Sequence, residues 1–255
     1  MQRKYLIAIM TICLGLLVIY FYREYQLGYE YQFPCGVAAT DLNDIIIDSV
    51  GVQLVMDTPY KWEINTVRVF FMDVKSEPLI DKTIGIANQW SNHSNINFEK
   101  SSSIYRSDIR VSFREQKGYQ SVIGNQAKLS KLSGKSTLWL QDLDKKSESE
   151  FKRVVLHEFG HALGLRHELR SPDADIPWDK PKVYNYFEKV YGWSTVKVDS
   201  NIIAKVKTNE HTKFDRNSIM VYAVPDSLTK DNTRFHWPKN LSRLDKRTIV
   251  DYYPF

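Results

Sequence analysis

Three histidines and a glutamate fall within eleven consecutive residues, His157-Glu158-Phe159-Gly160-His161-Ala162-Leu163-Gly164-Leu165-Arg166-His167. On a helix, His157 and His161 lie on one face, one turn from each other. Two imidazoles at that spacing can hold one zinc ion. Glu158 follows the first of them, so its carboxylate points to the side of the metal and can hold a water there. Gly164 permits a left-handed backbone turn that ends the helix. The reversed chain can then return His167 as a third ligand. Three nitrogens leave one position of a tetrahedral Zn2+ to water, the arrangement of a catalytic rather than a structural ion. A structural site would need a fourth protein ligand, often Cys, and no Cys is near this stretch.

The extended pattern H-E-x-x-H-x-x-G-x-x-H fixes three ligands, a base and a turn, which makes it far more specific than a bare H-E-x-x-H. The stretch resembles the zinc site of the metzincin metallopeptidases. Later residues narrow the resemblance to the astacin family. Glu168 follows the third histidine, and Pro172-Asp173-Ala174-Asp175 comes soon after. Phe214-Asp215-Arg216-Asn217-Ser218-Ile219-Met220-Val221-Tyr222 is similar to the astacin Met-turn. The resemblance implies that Met220 forms an apolar floor beneath the metal and that Tyr222 approaches the metal or the reacting carbonyl oxygen. It also implies that Glu168 anchors an amino terminus freed by removal of a pro-region; a solvent-facing carboxylate at a helix end is the alternative. Val221 stands where astacins usually have His. Astacins carry two disulfides, whereas this chain has two cysteines in all, Cys13 and Cys35, both before the matching region. A disulfide-free relative is therefore expected.

The activity implied is a zinc-dependent endopeptidase acting on protein or peptide substrates, with a metal-activated water and Glu158 as general base. Tyr222 is expected to help hold the oxyanion. Two other readings use the same residues: a binding module that keeps the zinc fold without cutting, and hydrolysis of a non-peptide amide.

The elements that must position these groups follow from the hydrophobic pattern. Asn65 to Met72 is β-branched and aromatic and reads as a buried strand. Pro78 opens a helix whose apolar stripe is Leu79, Ile80, Thr83, Ile84, Ala87 and Trp90. Short strands are predicted at Ile96 to Phe98, at Asp108 to Phe113 and at Thr137 to Leu140, with Gly118 to Gly124 as a loop. From about Glu150 the active-site helix buries Phe151, Val154, Val155, Phe159, Ala162 and Leu163. A short aromatic helix is expected over Lys182 to Tyr191, and Ser242-Arg243-Leu244-Asp245 reads as a capping box opening a last helix toward Tyr253. The fold class expected is α+β, a metzincin zincin-like fold. It has a twisted mixed sheet, an active-site helix and a mostly irregular or helical C-terminal lobe. An extended substrate is expected along an edge strand at Ser136 to Leu140.

Three segments are expected: 1–24, 25–61 and 62–255. The first holds an apolar run of 18 residues, Tyr5 to Tyr22, behind Met1-Gln2-Arg3-Lys4. That length is at the lower limit for a membrane-spanning helix, and the leading positive charges place the bulk of the chain outside. Ile19-Tyr20-Phe21-Tyr22-Arg23 offers no small-x-small cleavage site, so a membrane anchor with an extracytoplasmic (periplasmic or extracellular) domain is expected; a cleaved signal and secretion are the alternative. Residues 25–61 form a connector or pro-region. Within it Phe33-Pro34-Cys35-Gly36-Val37 loosely resembles the inhibitory cysteine segment of matrixin pro-regions, without its arginine, so Cys35 is read either as a zinc cap or as an ordinary linker thiol. The net charge of +5 comes from Lys and Arg scattered among acids, which excludes a basic stripe for nucleic acid. His93, His211 and His236 have no ligand spacing.

Overall fold

The computed structural model describes residues 36–37, 60–129, 133–206 and 213–255. The anchor expected over residues 1–24, Cys13, Cys35 and His211 lie outside them. Among the described residues no helix is long and apolar enough to cross a membrane.

Among the described residues six strands form one sheet: β1 (Gly36–Val37), β2 (Thr66–Phe71), β3 (Asn97–Lys100), β4 (Ile109–Ser112), β5 (Tyr119–Ser121) and β6 (Leu138–Leu140), in the spatial order β1-β5-β6-β4-β2-β3. β2 runs parallel to β3 and β4, β4 runs parallel to β6, and β5 is antiparallel to β6. The sheet is thus mixed, with helices against it, as the α+β expectation required. Val67, Val69 and Phe71 turn inward from β2 while Arg68 turns out, the period of a half-buried strand. On β4 all four residues are buried.

The stretch from Gly118 to Gly124 is not a loop throughout, since Tyr119–Ser121 is β5. Two flanking glycines with positive φ hid a three-residue strand whose pairing is decided by β6, not by local pattern. The Ser136 to Leu140 segment contains β6, which is interior, with β4 on one side and β5 on the other. The strand beyond it is β5, whose outer side is paired in parallel with Gly36 and Val37.

Helix α1 (Glu77–Ala87) carries Pro78 in its first turn and buries Ile80, Thr83 and Ala87. Helix α2 (Glu148–Ala162) begins two residues earlier than its apolar stripe suggested. Ser147 caps it by accepting the Glu150 N–H, and Glu148 and Glu150 sit at the positive end of the helix dipole. Phe159 meets Phe98 of β3 edge-on, ring centroids 4.8 Å apart, and Phe151 stacks near Phe113.

The far end of α2 is bound on several sides. Gly164, at φ +106°, lets the Leu165 N–H return to the Gly160 carbonyl (3.0 Å) and the Gly164 N–H to that of His161 (2.8 Å). The Trp62 indole donates to the Ala162 carbonyl at 2.7 Å, the Trp90 indole to that of Leu156 at 3.0 Å, and the Tyr253 hydroxyl to that of Leu163 at 2.8 Å. These bonds tie the histidine-bearing half of α2 to Trp62, Trp90 and Tyr253.

The C-terminal lobe holds α3 (Lys180–Tyr191), α4 (Thr195–Val198) and α5 (Arg243–Tyr252). A π-turn over Asp199–Ile203 follows α4. The capping box expected at Ser242 and Asp245 is present at the start of α5.

Candidate active site

His157, His161, Glu158 and Gly160 all lie on α2 and are buried, and His167 is buried just beyond the Gly164 turn. The turn does what its glycine permits: it brings His167 back against the two helical histidines. One nitrogen from each ring lies within 4.8 Å of the others. Ring centroids are 4.8 Å apart for His157 and His161, 4.6 Å for His161 and His167, and 5.5 Å for His157 and His167.

Each ring is fixed through its Nδ1 by a backbone carbonyl. His157 meets Ile219 O at 2.7 Å, His161 meets Leu165 O at 2.7 Å, and His167 meets Asn201 O at 3.1 Å. A carbonyl oxygen only accepts, so all three Nδ1 atoms carry the proton and all three Nε2 atoms present lone pairs. The Asn201 carbonyl lies in the π-turn.

These lone pairs fit a cation. The Nε2 atoms of His161 and His167 stand 3.0 Å apart, two acceptors facing each other, which is unfavourable unless something positive lies between them and the third ring. The Nε2 of His157 is buried without a hydrogen-bond partner among the described residues. Burial, followed by the neighbouring His161 ring, pushes the His157 and His167 imidazoles well below their ordinary range, and burial takes His161 down to about 4. Neutral imidazoles are what a divalent metal requires. Nitrogen donors at these separations suit zinc, whose bonds to imidazole are ~2.0–2.1 Å long.

Met220 packs against Gly160, the residue before His161 on α2. A Cβ added at Gly160 would come within 2.6 Å of the Met220 sulfur, so α2 can rest on the methionine only because residue 160 has no side chain. The Met220 carbonyl accepts the Glu168 N–H at 3.1 Å, which ties the Met-turn to the residue after His167. Tyr222 is buried, its ring 4.3 Å from that of His167 and 5.9 Å from that of His157. Glu158 is buried beside His157.

Glu168 is not a solvent-facing carboxylate. It is buried, and its Oε1 accepts the Asp215 N–H at 2.8 Å. Its Oε2 has no hydrogen-bond partner among the described residues, and burial raises its carboxyl well above the usual range. His93 and His236 do not join the cluster.

Sequence reasoning missed several contributors. Trp237 lies against Tyr222 (5.5 Å between ring centroids) and His157 (6.5 Å), with the Arg153 guanidinium 4.1 Å from its ring centre. Nothing in its local sequence marks it. The carbonyls of Ile219, Leu165 and Asn201 carry no side-chain signature either.

Comparison with known proteins agrees with this geometry. The family model for Astacin, a peptidase family, matches residues 55–240. A structure of myroilysin is 35% identical, with a TM-score of 0.72, and the alignment covers 78% of this chain and 98% of that one. A second myroilysin crystal structure is 32% identical, with a TM-score of 0.58 over 86% and 99% of the two chains. High choriolytic enzyme 1, a hatching enzyme zinc-protease from the medaka fish Oryzias latipes, shares the fold at 16% identity and a TM-score of 0.54, covering 79% of this chain and 97% of that one. No curated protein matches. From the family match, the similarity to myroilysin and a three-histidine cluster suited to zinc, the chain belongs to the astacin family and is a zinc metalloendopeptidase.

Proposed function

We propose that His157, His161 and His167 hold the zinc ion and that Glu158 and Tyr222 act on the substrate beside it. The observation that carries this reading is the orientation of the three rings, each turned by a carbonyl on Nδ1 so that Nε2 faces the common centre. When bound, zinc supplies Lewis acidity toward a peptide carbonyl and an attacking water. Glu158 takes the proton of that water and returns it to the leaving amine. The Tyr222 phenol donates a hydrogen bond to the oxygen on which negative charge develops.

The substrate lies along the outer side of β5 rather than along Ser136 to Leu140, because β6 is already paired on both sides. That outer side is where Gly36 and Val37 pair with Gln120 and Ser121. Residues 25–61 therefore act as a pro-region that shields the substrate strand, and residues 62–255 form the catalytic domain. Glu168, with a buried oxygen to spare, takes the amino terminus freed when the pro-region is removed. Residues 1–24 display the enzyme outside the cytoplasmic membrane as an anchor, with secretion after cleavage as the alternative.

The test is incubation of the protein, before and after removal of the pro-region, with a diverse peptide library, with and without a chelator, and identification of products by mass spectrometry. Chelator-sensitive internal cleavage by the wild type and none by Glu158→Gln is the expected outcome. Intact peptides under all conditions, from protein carrying stoichiometric zinc, refute the assignment.

A further inference from the structure

The Met-turn reaches beyond the methionine that gives it its name. The His157 Nδ1–H donates to the Ile219 carbonyl at 2.7 Å. That carbonyl shares a peptide group with the Met220 N–H, which donates to the Ser218 hydroxyl oxygen at 3.1 Å. The Ser218 hydroxyl donates in turn to Asp245 Oδ1 at 2.6 Å. Four groups thus form one unbroken line of donors and acceptors, from an imidazole through a peptide and a hydroxyl to a carboxylate. All of it is buried: Ser218, Met220 and Asp245 have 0% exposure and Ile219 1%.

Asp245 is more than the closing residue of a capping box. Its Oδ2 accepts the Ser242 N–H at 2.8 Å, which caps α5, and also the Ile219 N–H at 2.8 Å. A cap at a helix start needs no full burial, and burying a carboxylate is costly unless its oxygens are all engaged. Here three donors converge on the two oxygens, so the buried group is an acceptor at each contact.

Hydrogen bonds in series polarise one another, and more so where water is excluded. A carboxylate at one end makes the Ser218 hydroxyl a better acceptor, which draws on the Met220 N–H and leaves the Ile219 carbonyl richer in electrons. The ring that donates to this carbonyl becomes the better metal ligand at Nε2. Histidines that bind metals commonly have a carboxylate directly on the other nitrogen. In this chain a peptide and a hydroxyl are interposed.

We propose that Ser218 and Asp245 are positioning residues of the metal centre, acting on His157 through the Ile219–Met220 peptide. The proposal rests on the reading of His157 as a zinc ligand. His161 and His167 are aimed by carbonyls of the Gly164 turn and the π-turn, not of the Met-turn, so the effect belongs to one ligand of the three.

The test uses the full chain loaded with zinc, and then with cobalt(II) as a visible substitute. Ser218→Ala removes the hydroxyl while keeping the Asp245 bonds to Ile219 and Ser242. Ser242→Ala removes a helix cap from the same helix end and leaves the line whole. Ser218→Ala is expected to release zinc to a chelator about 10-fold faster than wild type, within the range seen for partners of metal-binding histidines. It should also change the visible cobalt spectrum, and Ser218→Thr should restore both. Ser242→Ala should lower Tm yet keep release within about twofold, as a cap alone does. Equal release from the two alanine variants at matched loss of Tm overturns the proposal.

A wild-type measurement covers the case in which Ser218→Ala does not fold. By reciprocity, zinc on His157 must strengthen the bonds further along the line. The Met220 amide proton should then shift downfield and exchange more slowly on zinc loading, more than the Ile219 amide, which lies on a different peptide. An unchanged Met220 amide overturns the proposal just as firmly. Wild type that takes up no zinc would instead overturn the ligand assignment, and the proposal with it.

Discussion

Gly160 faces Met220 so closely that a side chain on the glycine would meet the methionine sulfur at 2.6 Å. Gly160→Ala should therefore cost about 1–3 kcal/mol for overpacking a filled core, only partly offset by roughly 1 kcal/mol of helix propensity, and destabilise on balance. Gly85 is the internal control. It lies on the exposed face of α1 with nothing within 4 Å of an added Cβ, so Gly85→Ala should stabilise by roughly 0.5–1 kcal/mol through helix propensity. Denaturant melts of the two variants should move in opposite directions, and a shared direction would contradict the close contact.

Glu158→Gln should keep one zinc per chain and lose at least about 10²-fold in kcat, the scale of general base catalysis. Tyr222→Phe should also retain the metal and lose about 10²-fold, in kcat more than in KM, because its hydrogen bond is needed only as charge develops. Full activity in either variant removes that residue from the chemistry.

Acid release of zinc should come late. The folded site holds His161 down to about 4 and the other two imidazoles well below their ordinary 6.5, with burial as the leading cause. A lowered pKa means that protons compete with the metal only at lower pH. Zinc occupancy, followed with a fluorescent chelator, should stay flat as pH falls through 6.5 and decline toward 4. Half-release near 6.5 would show that burial does not protect these rings.

Glu168→Gln should stabilise the full chain, and increasingly so at higher pH. A carboxyl raised on folding favours the fold below its unfolded value, ~4.3, and loses that contribution as pH rises through the folded value. Glutamine does not titrate and can still accept the Asp215 N–H. The gain in Tm should be larger at about pH 8 than at about pH 5. After removal of residues 1–61 the same substitution should become destabilising, since a terminal ammonium would have lost its anion.

The three-histidine cluster was legible because its side chains recur at fixed spacing, and Gly164 was legible because a left-handed residue is what ends α2 and reverses the chain there. The strands with β-branched runs, β2 and β4, were legible for a similar reason. β5 was not, since three residues between two turns have too little pattern to outweigh their neighbours, and their strand identity comes from β6. Asp245 was read only as a helix cap because the Met-turn it also grips is far away along the chain. Trp237 became part of the site through tertiary packing alone.

The atoms that aim the three imidazoles belong to the main chain, at Ile219, Leu165 and Asn201. Every amino acid brings the same carbonyl to such a post, although proline would forfeit the Leu165 and Ile219 N–H bonds to Gly160 and Asp245. Ile219 and Leu165 are buried, so substitutions that keep their apolar volume can leave the aim of the rings intact so long as the backbone path survives. Tolerance to drift is thereby built in around the metal, and descendants of this sequence can diverge there without surrendering the enzyme.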